Sequence, residues 1–167
     1  MTATVSAATD AATEVQVVGV YCKKSHFNDP AMAYCSVCGI AMAQAIRRPV
    51  WGPRPQLGVL VLDDGTMLPL TRDHVLGRAP SAAGGAAAVR LAGPLVSRAH
   101  ARVELRGWDV ALVDTGSTNG TFVCQPGETR WARLPRGGAT ILRPGSTAAL
   151  ANRQFCYHSH RNPMRPP

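Results

Sequence analysis

Lysine is almost missing from this 167-residue chain: of its 18 cationic residues, only Lys23 and Lys24 are lysine and the rest are arginine. No block of five or more cations occurs anywhere. The formal charge of +8 is spread out, with five cations and three acids in residues 1–56, eleven and seven in 57–160, and two and none in the last seven. Nucleic-acid binding is therefore permitted but not indicated, and a basic face interleaved with aromatics is lacking. There is no run of eighteen apolar residues, which excludes a membrane-spanning helix. The first residues lack a charged stretch followed by an apolar one, so no secretory leader is expected and a cytoplasmic location is. No Gly-x-Ser-x-Gly elbow, phosphate-binding P-loop or kinase motif is present, and this argues against an enzyme. Internal repeats and convincing amphipathic helices are absent as well. What is abundant is Ala, Gly, Pro and Arg, as in GC-rich coding sequence. A hydrophobic content of 46% is enough for a core and excludes a wholly disordered chain.

The chain divides by composition. Residues 1–14 are rich in Ala and Thr without apolar periodicity and read as a flexible tail. Residues 15–45 hold a cysteine cluster. Residues 46–56 contain three prolines and a glycine and read as a stiff linker. Residues 161–167 form a Pro-ended tail. Between them, residues 57–160 read as short strands separated by turn signals. Residues 57–62 and 66–70 flank Asp64-Gly65, a hairpin signature. Ala101, Val103 and Leu105 alternate with polar residues, and after Arg106-Gly107 the pattern resumes at Trp108, Val110 and Leu112. That predicts a second hairpin with one face buried. Residues 121–123, 129–134, 146–150 and 154–158 are further strand candidates, whereas residues 82–88, broken by Gly84-Gly85, read as a loop. Many short strands in about 100 residues predict an all-β sandwich.

Three of the five cysteines fall close together, in the spacing Cys22-x3-His26-x8-Cys35-x2-Cys38-Gly39. An odd cysteine count clustered this way argues against a disulfide framework and for a metal site. Cys22, His26, Cys35 and Cys38 make a four-ligand set suited to tetrahedral Zn²⁺. With every position filled by protein, the site is structural, with no place for a catalytic water. Asn28 and Pro30 read as turn formers between the two halves. The segment resembles a single zinc ribbon, Cys…Asn-x-Pro…Tyr-Cys-x2-Cys-Gly. It departs at the first half, where Ser25 occupies the usual second cysteine position and His26 follows. Cys124 and Cys156 read as small apolar strand residues, His158 and His160 as exposed, and Trp51 and Trp131 as packing or linker aromatics.

Three loops in the β region carry polar side chains beside glycine: Gly77-Arg78, Ser97-Arg98-Ala99-His100, and the run from Asp114 to Thr121. They offer a forked guanidinium, two hydroxyls and a carboxamide, the groups a phosphate dianion on a peptide needs. In this order and on a β background, the motifs resemble the forkhead-associated (FHA) domain over residues 57–160, in a protein of bacterial, actinobacterial type. The resemblance implies an eleven-stranded β-sandwich that binds phosphothreonine peptides through loops at one end. It implies that Arg78, Ser97 and Thr118 contact phosphate, that Arg98 assists, and that Asn119 holds the peptide backbone. Gly77, His100 and Gly120 would shape the loops, with His100 as a brace. The segment between Arg78 and Ser97 is longer and richer in Ala and Gly than the family's usual acidic loop, and the stretch after Thr121 also departs.

The expected function is a non-catalytic phosphothreonine-binding adaptor or scaffold in Ser/Thr kinase signalling, with structural Zn²⁺. Its partner would be a phosphorylated protein, such as a kinase or a kinase substrate. The alternative is a zinc-ribbon nucleic-acid-binding or regulatory protein recruited through its FHA domain. The tail offers Thr2, Thr4, Thr9 and Thr13, the last two followed by acids, so a phosphorylated tail could bind the chain's own pocket.

Overall fold

The computed structural model describes residues 14–44 and 48–160; the two tails, Glu14 apart, lie outside them. The fold is all-β, with a single short 3₁₀ turn at Met42–Gln44 among the described residues. No helix there is long and apolar enough to cross a membrane.

The first unit is a three-stranded antiparallel sheet in the order β2-β1-β3, with β1 at Gln16–Tyr21, β2 at Phe27–Asn28 and β3 at Val50–Pro53. Strand β3 corrects the reading of residues 46–56 as linker. It pairs with β1 from Gln16↔Pro53 to Gly19↔Val50. As an edge strand it tolerates Pro53 at its end. Gly19 and Gly52 leave room for the Phe27 ring: a Cβ at Gly52 would lie 2.9 Å from that ring. Asn28 is also corrected, since it is a buried strand residue and not part of a turn.

The second unit is a sandwich of two sheets. One has six strands in the order β11-β10-β13-β14-β4-β5 and the other five, β12-β9-β8-β6-β7. In chain order these are β4 (Val59–Leu62), β5 (Met67–Pro69), β6 (His74–Gly77), β7 (Ala87–Arg90), β8 (Ala101–Arg106), β9 (Asp109–Asp114), β10 (Thr121–Cys124), β11 (Ala132–Arg133), β12 (Ala139–Ile141), β13 (Thr147–Leu150) and β14 (Arg153–His158). Alternation places Leu60, Leu62, Val103, Leu105, Val123 and Phe155 in one shared core between the sheets. Strand β6 is buried along its whole length because it runs between β7 and β8. It pairs in parallel with β7, so the Ala-rich stretch read as loop through residue 88 becomes strand from Ala87. Of residues 129–134, only Ala132–Arg133 pair.

The two units touch at the end of the sandwich marked by the β8–β9 turn. Trp108 Nε1 donates to Val18 O at 2.7 Å, and the Phe27 and Trp108 rings lie 5.5 Å apart. Arg54 Nη1 donates to Leu105 O at 2.9 Å. Trp51 stays largely exposed, at 72%.

Candidate functional site

At the opposite end of β8, three loops are tied side by side. The first follows β6, where Arg78 N donates to Ser97 O at 2.8 Å and Ala79 N to Arg98 O at 3.1 Å. These bonds bring the Arg78 backbone against Ser97. The third loop joins through Thr118 N, which donates to Ser97 Oγ at 3.1 Å. The Ser97 hydroxyl is thereby an acceptor inside the protein, and its own proton is left for an outside acceptor. Asn119 Nδ2 donates to Leu95 O at 2.7 Å, anchoring one edge of the carboxamide. Arg78, Arg98, Thr118 and Asn119 are all exposed. Among the described residues, neither the Arg78 nor the Arg98 guanidinium has a hydrogen bond or ion pair.

His100 is fully buried between these loops. Its Nδ1 accepts from Ser97 N at 3.1 Å. That fixes the neutral tautomer in which Nε2–H donates to Gly120 O, 3.0 Å away. One imidazole thus spans from the Ser97 loop to the Gly120 loop. Gly77 makes room for the same junction, since a Cβ there would lie 2.7 Å from the Arg98 carbonyl carbon and 2.9 Å from Ser97 O. Gly120 has φ +88° and no space either, for Arg133 Nε would be 2.7 Å from its Cβ.

Asp114 organises the third loop, a role no sequence expectation assigned. It is buried and accepts from Gly116 N, Ser117 N, Ser117 Oγ and Thr121 Oγ1. The signal was present as Asp followed by Thr-Gly-Ser, a pattern for side-chain capping of a turn. Burial works to raise its pKa, but the hydroxyl donors Ser117 and Thr121 and the two backbone donors outweigh it, leaving the carboxyl below its ordinary value. The folded chain therefore holds this proton more weakly than the unfolded chain. The resulting stability is complete above about pH 4 and is lost as pH falls below it. Urea melts at pH 7 and pH 3.5 should show this loss in wild type. In Asp114→Asn the loss over the same interval should be smaller, and an equal pH dependence in the two proteins would rule the effect out.

A second cluster lies in the first unit. The ligand atoms of Cys22, His26, Cys35 and Cys38 all fall within 4.8 Å of one another. Cys22 Sγ is 3.9 Å from Cys38 Sγ, and His26 Nδ1 is 3.4 Å from Cys22 Sγ and 3.7 Å from Cys35 Sγ. A tetrahedral zinc with bonds of about 2.3 Å to sulfur and 2.0–2.1 Å to nitrogen requires edges of roughly 3.6–3.8 Å. The donor set therefore fits a zinc ion. Backbone N–H groups of Lys24 and His26 point at Cys22 Sγ, and that of Val37 at Cys35 Sγ. Asn28 links the two halves: its Nδ2 donates to His26 O and Cys35 Sγ, and its Oδ1 accepts from Ser36 N and Oγ. Burial raises the Cys35 pKa, but donors from the Cys38 and Val37 backbone and from Asn28 overcome it and bring the thiol down to about 6. A thiol lowered in this way is of the kind that can hold a metal as thiolate.

Comparison with known proteins bears on the sandwich. Residues 74–149 match the family model described as the FHA domain. The sandwich is an FHA domain. None of the curated proteins matches the sequence. Among solved structures, the FHA domain of human APLF in complex with an XRCC1 bisphospho peptide is 25% identical, with TM-score 0.50, covering 61% of this chain and 98% of that one. The FhaA FHA domain, complexed with the intracellular domain of Rv3910, is 27% identical with TM-score 0.47, covering 60% and 98%. Mycobacterium tuberculosis EmbR, in complex with a low affinity phosphopeptide, is 23% identical with TM-score 0.45, covering 61% of this chain and 24% of that one. The FHA match begins at His74 and leaves the Cys/His unit outside it.

Proposed function

We propose that this protein is a phosphothreonine-peptide-binding adaptor in Ser/Thr kinase signalling, with an N-terminal unit held together by one structural zinc ion. The observation that carries the reading is the knot of three loops around Ser97. It ties the backbones of Arg78 and Thr118 to Ser97, so that one guanidinium and two hydroxyls are carried on adjoining loops of an FHA scaffold. The APLF domain, a similar fold, was solved with a phosphorylated peptide. In this chain Arg78 supplies the charge for the phosphate, Ser97 and Thr118 supply short donors, and Arg98 adds a second cation at the rim. Asn119, anchored on Leu95, keeps its Oδ1 and one N–H for the peptide backbone. His100, Gly77 and Gly120 hold the loops in register. Cys22, His26, Cys35 and Cys38 would hold the zinc, which supplies folding free energy and no chemistry.

The direct test is Arg78→Ala. Charge-assisted hydrogen bonds are worth about 1.5–3 kcal/mol, so peptide affinity should drop at least about tenfold. Calorimetry with a phosphothreonine peptide and its unphosphorylated form checks this, and equal affinity in both proteins would remove Arg78 from the site.

Self-binding by a phosphorylated tail stays part of the proposal, with a limit set by reach. The tail threonines lie outside the described residues, but the chain enters the structure at the Leu105 end of β8, where Arg54 bonds both Val15 O and Leu105 O. Ser97 lies beyond the other end of that six-residue strand. Thr13 is two residues before Val15, a tether of about 7 Å, too short for its own pocket, whereas Thr2 can extend about 40 Å. Phosphate on Thr13 could act only on another copy.

A further inference from the structure

Beside the phosphate-binding loops lies a second cationic position. Arg133 is in β11, paired to Phe122 of β10, which fixes its backbone next to the strand that follows Asn119-Gly120. Its guanidinium lies against the Gly120 backbone, in the space that a side chain at that position would fill. It also sits over the Phe122 ring, 5.7 Å from the centroid. Arginine is suited to such a place, because a planar guanidinium can lie flat on an aromatic face and still present its edge to an anion. Arg136 is close by, its Nη2 donating to Gly116 O in the Asp114–Thr121 loop at 3.1 Å.

The carboxylates at this end are already committed. Asp63 and Asp64 are both held by Arg153, and Asp114 is buried among its four donors. Among the described residues no ion pair involves Arg78, Arg98, Arg133 or Arg136. This rim therefore carries four guanidinium groups with no carboxylate bound to any of them. A phosphothreonine needs Arg78, with help from Arg98. It has no need of an arginine stacked on Phe122 beyond Asn119.

We infer that Arg133, supported by Arg136, reads a second anionic residue in the peptide, an Asp, a Glu or a phosphorylated side chain, on the flank that passes Asn119. The inference rests on the phosphothreonine reading above and narrows its partner class to phosphopeptides with an acidic or doubly phosphorylated sequence. Holding Arg133 between Gly120 and Phe122 lowers the ordering cost of the contact, so a single rim charge can discriminate.

The experiment is a fluorescence-polarisation panel on the full chain. Each peptide carries one phosphothreonine and a neutral flank, with Asp, Ala or Lys placed singly at each of four positions on either side. In wild type, Asp should bind about fivefold tighter than Ala at one or two adjacent positions, the scale of a favourable exposed ion pair, and Lys should bind more weakly. Arg133→Glu should reverse that order at the same positions, and Arg133→Gln, which keeps the shape of the contact, should flatten it. The readout is the Asp-to-Lys ratio within each protein, so a general change in affinity does not affect it. A wild-type ratio near one at every position overturns the inference while leaving phosphothreonine binding in place, as does an unchanged ratio in both variants. If no phosphorylated peptide binds better than its unphosphorylated form, the phosphothreonine reading fails and the inference falls with it.

Discussion

Serine in place of Cys38 is expected to empty the metal site and unfold the N-terminal sheet while the sandwich survives. The first unit has a buried cluster of only Val20, Cys22, Cys35 and Met42, with Cys38 packed against it. Three of those five side chains belong to the ligand set. So small an apolar core cannot offset the ordering of some forty residues. The deficit falls on the zinc, whose binding in structural sites is worth on the order of 10 kcal/mol of folding free energy. The sandwich core, from Leu57 to Tyr157, shares no residue with that cluster. The contacts between the two units include the Trp108–Val18 hydrogen bond, the Phe27–Trp108 contact and the Arg54–Leu105 bond. Elemental analysis should find one zinc per wild-type chain and none in Cys38→Ser. Tryptophan emission should shift to the red as Trp108 loses Val18 and Phe27. Phosphopeptide affinity should stay within about twofold, because the loops around Ser97 lie at the other end of β8. Retained zinc in the variant would exclude Cys38 as a ligand. Loss of the sandwich's β signal would show that the two units fold as one.

The parts of the fold legible from sequence are those where pattern and turn chemistry agree. The β4–β5 hairpin announces itself through apolar segments on both sides of Asp64-Gly65, and the β8–β9 hairpin through alternation on both sides of Arg106-Gly107. Strands β7 and β12 do not, because they are only four and three residues long and open on alanine, Ala87-Ala88 and Ala139, which has little strand preference of its own. They exist because β6 and β9 offer them hydrogen-bonding edges. Strand β3 was hidden by its prolines, which mark linkers as readily as edge strands. The polar loops were legible because glycine punctuates them, and the cysteine cluster because its spacing is short. Asp114 left only a local turn signal, and its partners Gly116, Ser117 and Thr121 all lie within seven residues. Asn28 left none, since a buried polar residue that satisfies several donors at once has no periodic trace, and its bonds to Ser36 form only when the two halves of the cysteine cluster come together. Arg133 was one arginine among sixteen until pairing placed it against Gly120.

Alanine at Gly77 should be the most damaging single change in the sandwich. The added methyl would overlap Arg98 O and press on Ser97 O, both main-chain atoms. Neither can swing aside as a side-chain tip would, because Ala79 N holds Arg98 O and Arg78 N holds Ser97 O. β6 cannot recede instead, since it is flanked by β7 and β8 and buried throughout. Relief requires the segment at residues 97–98 to lift away from β6. That breaks the two bonds that seat Arg78 beside Ser97 and strains the contacts of Ser97 with His100 Nδ1 and Thr118 N. A forced main-chain displacement of this kind costs about 3 kcal/mol, which for a domain near 100 residues lowers Tm by roughly 12–24 °C. Gly84→Ala is the matched control: Gly84 has φ +60° but nothing within 4 Å of its Cβ, so about 1 kcal/mol is expected. Thermal melts rank the two. Peptide titration at 10 °C, where Gly77→Ala remains folded, separates stability from recognition. Gly77→Ala should then bind phosphothreonine peptide at least about tenfold more weakly than Gly84→Ala, as expected when the charge-assisted contacts of Arg78 are lost. Equal binding by the two variants would mean that the spacing between β6 and the Ser97 loop does not govern the site.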